Sequence, residues 1–190
     1  MLMNKGSYIH ELADVKTDTI GEGTVIWQYA VVVKGARIGK NCNVNCHTFI
    51  EQDVVIGDNV TLKSGVYLWN GLRVEDDVFI GPNATFVNDK HPRSKVHEGD
   101  PLRTVIKRGA SLGAGSVVLG GIVIGAYALV GAGSLVTRDV PDFALVKGSP
   151  AVICGWVDRE GNKLEGQGDG PWMDKAGIQY VVVNNKLTQV

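Results

Sequence analysis

The sequence predicts an all-β fold: a parallel β-helix of about six triangular coils, with one long inserted loop and a short C-terminal β-hairpin extension. Apolar residues recur at every sixth position over most of the chain, a small or β-branched residue lies two positions before most of them, and glycine often follows them. Neither the 3.6-residue period of a helix nor the two-residue period of a strand fits this spacing. A six-residue unit instead fits one short strand followed by a corner.

The repeat begins at Ile20 and holds its register up to Phe86. It resumes at Ile106 and continues to Val136. All eighteen positions are apolar, namely Ile20, Ile26, Val32, Ile38, Val44, Ile50, Ile56, Leu62, Leu68, Val74, Ile80, Phe86, Ile106, Leu112, Val118, Ile124, Val130 and Val136. Three units make a coil of eighteen residues with the apolar side chains inside. Because one coil alone buries almost nothing, the coils must stack on one another.

The twenty residues from Phe86 to Ile106 equal three repeats plus two, so the chain leaves the coil and re-enters it out of phase. The sequence therefore predicts an inserted loop over 88–103. That loop holds two of the four histidines and two of the six prolines. A long polar excursion from a regular scaffold is often a functional segment.

Composition excludes several kinds of partner and fits one main domain. The formal net charge of −1 gives no electrostatic footprint for nucleic acid or an anionic membrane. No apolar run approaches the length that spans a membrane. Three cysteines make no disulfide framework, so a reducing, cytoplasmic location is expected. We predict a β-helix domain over 1–153 and an extension over 154–190.

Two repeat units, 56–61 (IGDNVT) and 124–129 (IGAYAL), resemble those of the hexapeptide-repeat acyltransferases. The resemblance covers about residues 14–153. It implies a left-handed parallel β-helix and acetyl-CoA as co-substrate. It also implies a homotrimer whose sites lie between subunits, with the loop reaching toward the neighbour.

The start of the loop resembles two groups within that family. Sugar O-acetyltransferases place a catalytic histidine before proline, as in His91-Pro92, whereas nucleotide-linked 3-amino-sugar N-acetyltransferases have an asparagine where Asn88 stands, followed by Pro-Arg. The stretches 65–71, 78–83 and 143–151 are more similar to the second group. That resemblance implies an N-acetyltransferase acting on the 3-amino group of a UDP- or dTDP-linked sugar, for surface polysaccharide or lipopolysaccharide synthesis.

Three alternatives remain open from the sequence. One is an O-acetyltransferase using His91 as base, since a hydroxyl nucleophile needs a general base at neutral pH. An amine is partly unprotonated there, so orientation by Asn88 can suffice, with His91 as an accessory proton acceptor. The others are a zinc carbonic-anhydrase-like β-helix and a non-catalytic hexapeptide module. No metal ligand is assigned, and His97 is taken as solvated or substrate-contacting.

Residues eighteen apart stack, so Asn70 is expected one coil below Asn88, with Trp69 beside it. Trp69 or Tyr67 is a candidate to stack on a pyrimidine base. The predicted substrate-binding residues are His47, Tyr67, Trp69, Asn70, Asn83 and Arg93.

Two glycine-rich units, 113–116 and 131–134, are also eighteen apart, so small residues line one flank. The resemblance implies that CoA lies on these C-terminal coils and that a basic residue near the closing 148–151 binds its phosphates. Val152 stands where the family often has a basic residue, so Arg138 and Lys147 are considered instead. The predicted CoA-binding residues are Ala114, Gly131, Ala132, Arg138 and Lys147. Beyond them, hairpins are predicted over 156–164 and 178–187, joined by a polar segment at 166–170.

Overall fold

The computed structural model describes residues 2–4, 6–96, 99, 101–168, 170–184 and 186–190. All regular secondary structure within these ranges is β-strand. The strands form the three faces of a parallel β-helix and a small antiparallel sheet at the C-terminus. The chain passes from the first face to the second, then to the third, and returns to the first one coil higher.

The three faces are built mostly from two- and three-residue strands, numbered in chain order. The first face contains β1 (Leu2–Asn4), β2 (Ser7–Ile9), β4 (Val25–Ile26), β7 (Asn43–Val44), β10 (Thr61–Leu62), β13 (Phe79–Ile80), β16 (Ser111–Leu112), β19 (Leu129–Val130), β21 (Ala144–Gly148) and β22 (Ala151–Trp156). The second contains β3 (Asp14–Val15), β5 (Val31–Val32), β8 (Phe49–Ile50), β11 (Tyr67–Leu68), β14 (Thr85–Phe86), β17 (Val117–Val118) and β20 (Leu135–Val136). The third contains β6 (Arg37–Ile38), β9 (Val55–Ile56), β12 (Leu72–Val74), β15 (Thr104–Ile106) and β18 (Val123–Ile124). The longer β21 and β22 end the first face, where β22 pairs antiparallel, as does β1 at its other end.

Three corners connect the faces of each coil. The first corner joins the first face to the second, as at 81–84 and 131–134. The second corner joins the second face to the third, as at 51–54 and 69–71. The third corner joins the third face to the first, as at 75–78 and 107–110.

The register of the strands confirms the eighteen-residue coil and its single long interruption. Thr61 is paired with Phe79, eighteen residues on, whereas Phe79 is paired with Ser111, thirty-two residues on. The loop at the second corner therefore adds fourteen residues to its coil. It lies between β14 and β15, as the break in the repeat predicts.

The core consists of the predicted repeat positions. Seventeen of the eighteen apolar residues are buried, and Ile20 is half-buried. The small residues two positions earlier are buried as well, including Ala36, Val66 and Ala110. Burial of this continuous apolar column is the main favourable contribution to folding.

The predicted count of about six coils was wrong, because about eight are present. In the described part of the chain, the first face carries eight parallel strands from β2 to β21. The additional rungs precede Ile20 and follow Val136, where the hexapeptide pattern is incomplete. Backbone pairing continues the stack there, and buried Ile9 and Val146 fill its ends.

The C-terminal extension forms both predicted hairpins. Val157 bridges Lys163 in the first, and β25 (Gln179–Val183) pairs with β26 (Lys186–Gln189) in the second. The predicted polar joint begins in β23 (Glu165–Gly166) and leads to β24 (Trp172–Met173), which pairs antiparallel with β23; Asp169 of this segment lies outside the described residues. Buried Trp156, Leu164 and Trp172 join the same apolar cluster as the coils, so the extension packs on the end of the β-helix.

Candidate active site

A cavity of about 700 Å³ lies at the second corner, beneath the inserted loop. Stacked corner residues Glu51, Trp69 and Asn70 line one side of it. The loop supplies the rest, from Asn88, Asp89, Lys90, His91, Arg93, Val96, Gly99, Pro101 and Leu102. The structure therefore brings five predicted site residues together: Asn88, His91, Trp69, Asn70 and Arg93.

Two glycines allow the loop to close over the coil. The two ends of the loop meet where the Leu102 N–H donates to the Asn88 carbonyl oxygen at 3.3 Å. A Cβ at Gly71 would lie 2.6 Å from the Leu102 carbonyl oxygen. A Cβ at Gly120 would lie 2.7 Å from both Leu102 Cδ1 and the Val87 carbonyl oxygen. The loop thus packs where no side chain intervenes, and this holds Asn88 in place.

Asn88 and His91 differ in how firmly the structure holds them. Asn88 is half-buried at the point where the chain leaves β14, whereas His91 is exposed. The His91 backbone N–H donates to Asp89 Oδ1 at 2.9 Å, which fixes the local turn but not the ring. Among the described residues no hydrogen bond orients the His91 imidazole. A catalytic base is usually oriented by a third group.

Asn70 uses part of its hydrogen-bonding capacity within the β-helix itself. Its Oδ1 accepts a hydrogen bond from the Asp53 N–H at 2.9 Å, and its own N–H donates to Glu51 Oε2 at 2.6 Å. The amide nitrogen of its side chain is then the group left for a ligand. Arg73 supports this corner from outside the cavity. Its guanidinium donates to both carboxylate oxygens of Asp53 and holds the pKa of Asp53 below its ordinary value.

A second, more apolar cleft of about 360 Å³ lies on the second face. It contains the predicted residues His47, Tyr67 and Trp69. The Tyr67 and Phe49 rings lie 6.1 and 5.4 Å from the Trp69 ring, by centroid. Tyr29 stacks on His47 at 5.2 Å. Because Trp69 lines both cavities, the aromatic cleft adjoins the loop cavity.

Tyr29 and Phe49 also line this cleft, and neither was predicted from the sequence. The repeat could have predicted both residues, because Tyr29 stands eighteen residues before His47, and Phe49 stands eighteen residues before Tyr67. Asn83, in contrast, lies apart from the other predicted substrate-binding residues. It is exposed at the first corner with a φ of 57° and lines neither cavity.

The predicted CoA residues fall on two corners. Ala114 and Ala132 are exposed and stack at the first corner, where the Gly133 N–H donates to the Ala114 carbonyl oxygen at 2.9 Å. Lys147 joins them, since a Cβ at Gly131 would lie 3.1 Å from Lys147 Cβ. Arg138 is separate. It follows β20 at the second corner, two coils beyond Asn88.

No helix within the described residues is long and apolar enough to cross a membrane. Across the same ranges, no three His, Cys, Asp or Glu side chains are grouped so as to hold a metal ion. His97, which the sequence analysis considered, lies outside these ranges.

Comparison with known proteins decides the family. Residues 103–138 match the family model described as bacterial transferase hexapeptide (six repeats), and 35–69 match the hexapeptide repeat of succinyl-transferase. The chain is 52% identical over 158 residues to dTDP-3-amino-3,6-dideoxy-alpha-D-galactopyranose 3-N-acetyltransferase of Aneurinibacillus thermoaerophilus, covering 83% of this chain and 82% of that protein. The chain belongs to the hexapeptide-repeat acyltransferases. As a member of this family it is an acyl-CoA-dependent acetyltransferase.

Two other acetyltransferases are similar to this chain. A mutant of perosamine N-acetyltransferase from Caulobacter crescentus, in complex with CoA and GDP-perosamine, matches with a TM-score of 0.60 and 30% identity. The match covers 72% of this chain and 57% of that one. Galactoside O-acetyltransferase of Lactococcus lactis is 33% identical over 130 residues, covering 62% of this chain and 61% of that protein.

Proposed function

We propose that the protein transfers the acetyl group of acetyl-CoA to the 3-amino group of a dTDP- or UDP-linked amino sugar, for surface polysaccharide or lipopolysaccharide synthesis. The observation that carries the proposal is the half-buried Asn88 at the edge of the loop cavity. The relative from Aneurinibacillus supports dTDP as the nucleotide. The three cysteines are unpaired, which suits a cytoplasmic enzyme.

Asn88 supplies orientation rather than acid–base chemistry. Its amide oxygen accepts a hydrogen bond from the amine and aims the nitrogen lone pair at the thioester carbonyl. The C–N bond forms, the C–S bond breaks, and CoA leaves as a thiolate. The proton released from the nitrogen neutralises that thiolate. This route needs no dedicated base and agrees with the absence, within the described residues, of a hydrogen bond that orients the His91 ring.

The aromatic cleft provides a place for the nucleobase. Stacking of a base on an aromatic side chain contributes about 1–3 kcal/mol. Tyr67 is 48% exposed, so its ring is available for such a contact. Since Trp69 also lines the loop cavity, a nucleotide held in the cleft would present its sugar toward Asn88.

We further propose a homotrimer. The predicted CoA residues Ala114 and Ala132 lie at the first corner, with Lys147 of β21 beside them, while the acceptor cavity lies at the second corner. A neighbouring subunit that sets its first corner against this cavity would bring donor and acceptor together. Sedimentation equilibrium should give about three times the chain mass of 20.3 kDa, and a monomeric active enzyme would contradict this arrangement.

The activity is tested by following thiol release from acetyl-CoA with a panel of nucleotide-linked sugars. The panel contains 3-amino, 4-amino and hydroxyl sugars on dTDP and UDP. We expect turnover with the 3-amino sugar. Asn88→Ala should remove most of the activity, and His91→Asn should remove less. Near-complete activity in both variants, with unchanged melting temperatures, would show that the site is elsewhere.

A sugar O-acetyltransferase is the second candidate. It is favoured by His91, which lines the cavity, and by the likeness to galactoside O-acetyltransferase of Lactococcus lactis. In that case hydroxyl sugars in the same panel would be the better substrates. His91→Asn would then cost more activity than Asn88→Ala.

A further inference from the structure

Glu51 is a half-buried carboxylate in the loop cavity. It follows β8 at the second corner, one coil below Trp69. Its N–H donates to the Leu68 carbonyl oxygen at 3.0 Å, and its carbonyl oxygen accepts from the Val54 N–H at 3.2 Å. Its Oε2 accepts from the Asn70 N–H at 2.6 Å. Backbone and side chain are therefore both held in a fixed position.

The charge of Glu51 has no cationic partner in the described part of the chain. None of the ion pairs found there includes it. Its Oε1 makes no hydrogen bond to any described residue. The other carboxylate lining the cavity, Asp89, is exposed and uses Oδ1 for the His91 N–H. A half-buried carboxylate with one uncommitted oxygen favours a cation or hydrogen-bond donor beside it.

Glu51 is not unusual in accepting a hydrogen bond from the next coil, because Glu75 does the same. Glu75 occupies the equivalent position of its coil, directly after an interior apolar residue, but at the third corner. Its Oε2 accepts from the Arg108 N–H at 2.9 Å, just as Glu51 accepts from the Asn70 N–H. Glu75 is exposed and lies beside cationic Arg108, whereas Glu51 is half-buried in the loop cavity, where Lys90 and Arg93 also lie but form no ion pair with it among the described residues.

We propose that Glu51 recognises the amino group of the acceptor sugar and makes the site select an amine over a hydroxyl. This inference rests on the proposed function. A protonated sugar amine is attracted into the cavity by the carboxylate. It must lose one proton to solvent before it attacks the thioester. As the C–N bond forms, the nitrogen becomes positively charged again, and Glu51 stabilises that charge until the proton reaches the departing CoA thiolate.

The proposal makes Glu51 complementary to Asn88. Asn88 lies two coils away at the same corner and accepts a hydrogen bond from amine or hydroxyl alike, so it orients the nucleophile without distinguishing the two. Glu51 favours only the group that bears positive charge. A neutral residue at position 51 would therefore leave orientation intact and remove the selection.

Glu51→Gln is the informative variant, because the glutamine amide oxygen can still accept from the Asn70 N–H. Binding of the dTDP-3-amino sugar and of its 3-hydroxyl analogue is measured by calorimetry in the presence of CoA, and kcat/KM for the amino sugar by thiol release. The wild type should bind the amino form about tenfold or more tightly than the hydroxyl form, as expected for a charge-assisted hydrogen bond. Glu51→Gln should bind both about equally and lose about tenfold or more in kcat/KM.

Two controls separate charge from structure. Glu75→Gln makes the same chemical change at an equivalent corner outside the cavity and should leave binding and turnover unchanged. Glu51→Asp keeps the charge and shortens the side chain, so it should retain the preference for the amine.

A Glu51→Gln enzyme that still prefers the amine would overturn the proposal, as would a Glu51→Asp enzyme that loses the preference. In both cases the wild type still acetylates the 3-amino sugar, so the proposed function stands. A wild type that neither binds nor acetylates this sugar would overturn the proposed function and the role of Glu51 together.

Discussion

A single added methyl group at Gly120 should disturb the active-site loop more than the β-helix. In Gly120→Ala the new Cβ would lie 2.7 Å from Leu102 Cδ1, 2.7 Å from the Val87 carbonyl oxygen and 3.1 Å from Leu102 Cβ. The leucine methyl can rotate away. The Val87 carbonyl cannot do so without moving the backbone, and the next residue is Asn88. The substitution therefore displaces Asn88 from its position in the cavity.

The size of the effect follows from this overpacking. Forcing an extra methyl group into a filled site typically costs about 1–3 kcal/mol. The φ of Gly120 is not positive, so alanine adds no backbone strain of its own. Because about 1.4 kcal/mol corresponds to a factor of ten, a cost of that size is equivalent to a factor of about 5 to 150. We expect a loss in kcat/KM of about tenfold, with a fall in melting temperature of about 2–4 °C for each kcal/mol that is carried into global unfolding.

The assay is thiol release from acetyl-CoA with the dTDP-3-amino sugar, combined with thermal unfolding. Gly121→Ala is the matched control, because the nearest atom to its Cβ would be Leu102 Cδ2 at 3.9 Å while its φ of +80° strains the backbone. That control should lower the melting temperature and keep most of the activity. Wild-type kcat/KM in Gly120→Ala, or equal losses in both variants, would refute the reasoning.

Three further predictions concern the core, the predicted CoA-binding residues and the second corner. Leu68→Ala removes a fully buried side chain and should lower the free energy of unfolding by about 2–5 kcal/mol in urea titrations, whereas Leu68→Met should cost less than about 1.5 kcal/mol. Ala132→Trp should raise the KM for acetyl-CoA and leave the KM for the nucleotide sugar unchanged. The reverse result would show that CoA does not bind at the first corner. Hydrogen bonds from Arg73 lower the pKa of Asp53 in the folded protein. The ionised Asp53 side chain therefore contributes fully to the free energy of unfolding above its unfolded pKa of about 3.9, and this contribution is lost as the pH falls through the folded pKa. Asp53→Asn should therefore melt below the wild type at pH 7, with the difference shrinking as the pH falls; a difference that does not shrink in acid would contradict this.

The coil interior could be read from the sequence because a strict period fixes which side chains point inward. Ile80 and Leu112 were assigned to the core by position alone, and both are fully buried. The same arithmetic placed Asn70 one coil below Asn88, and both line the loop cavity. Where the pattern is incomplete the prediction was wrong, since the rungs at Ile9 and Val146 were not counted.

The loop was predictable as an interruption but not as a structure. The change of phase after Phe86 located it, yet nothing in its own sequence showed that it packs on Gly71 and Gly120. These glycines belong to coils on either side of the loop. Their role depends on contacts with Leu102, which no periodic pattern encodes.

By itself, the sequence determined the β-helix, its eighteen-residue coil, the columns of stacked residues and the place where the chain leaves them. Only the tertiary structure decided which corner each functional residue occupies. The fourteen added residues set where the chain re-enters, and this places Arg138 at the second corner while Lys147 lies in β21, beside the first corner. Likewise, only three-dimensional packing joins Tyr29 to Trp69 in one cleft and leaves Glu51 without a cationic partner among the described residues. The physical reason is that periodicity specifies contacts along a column, whereas cavities form between columns and beneath loops.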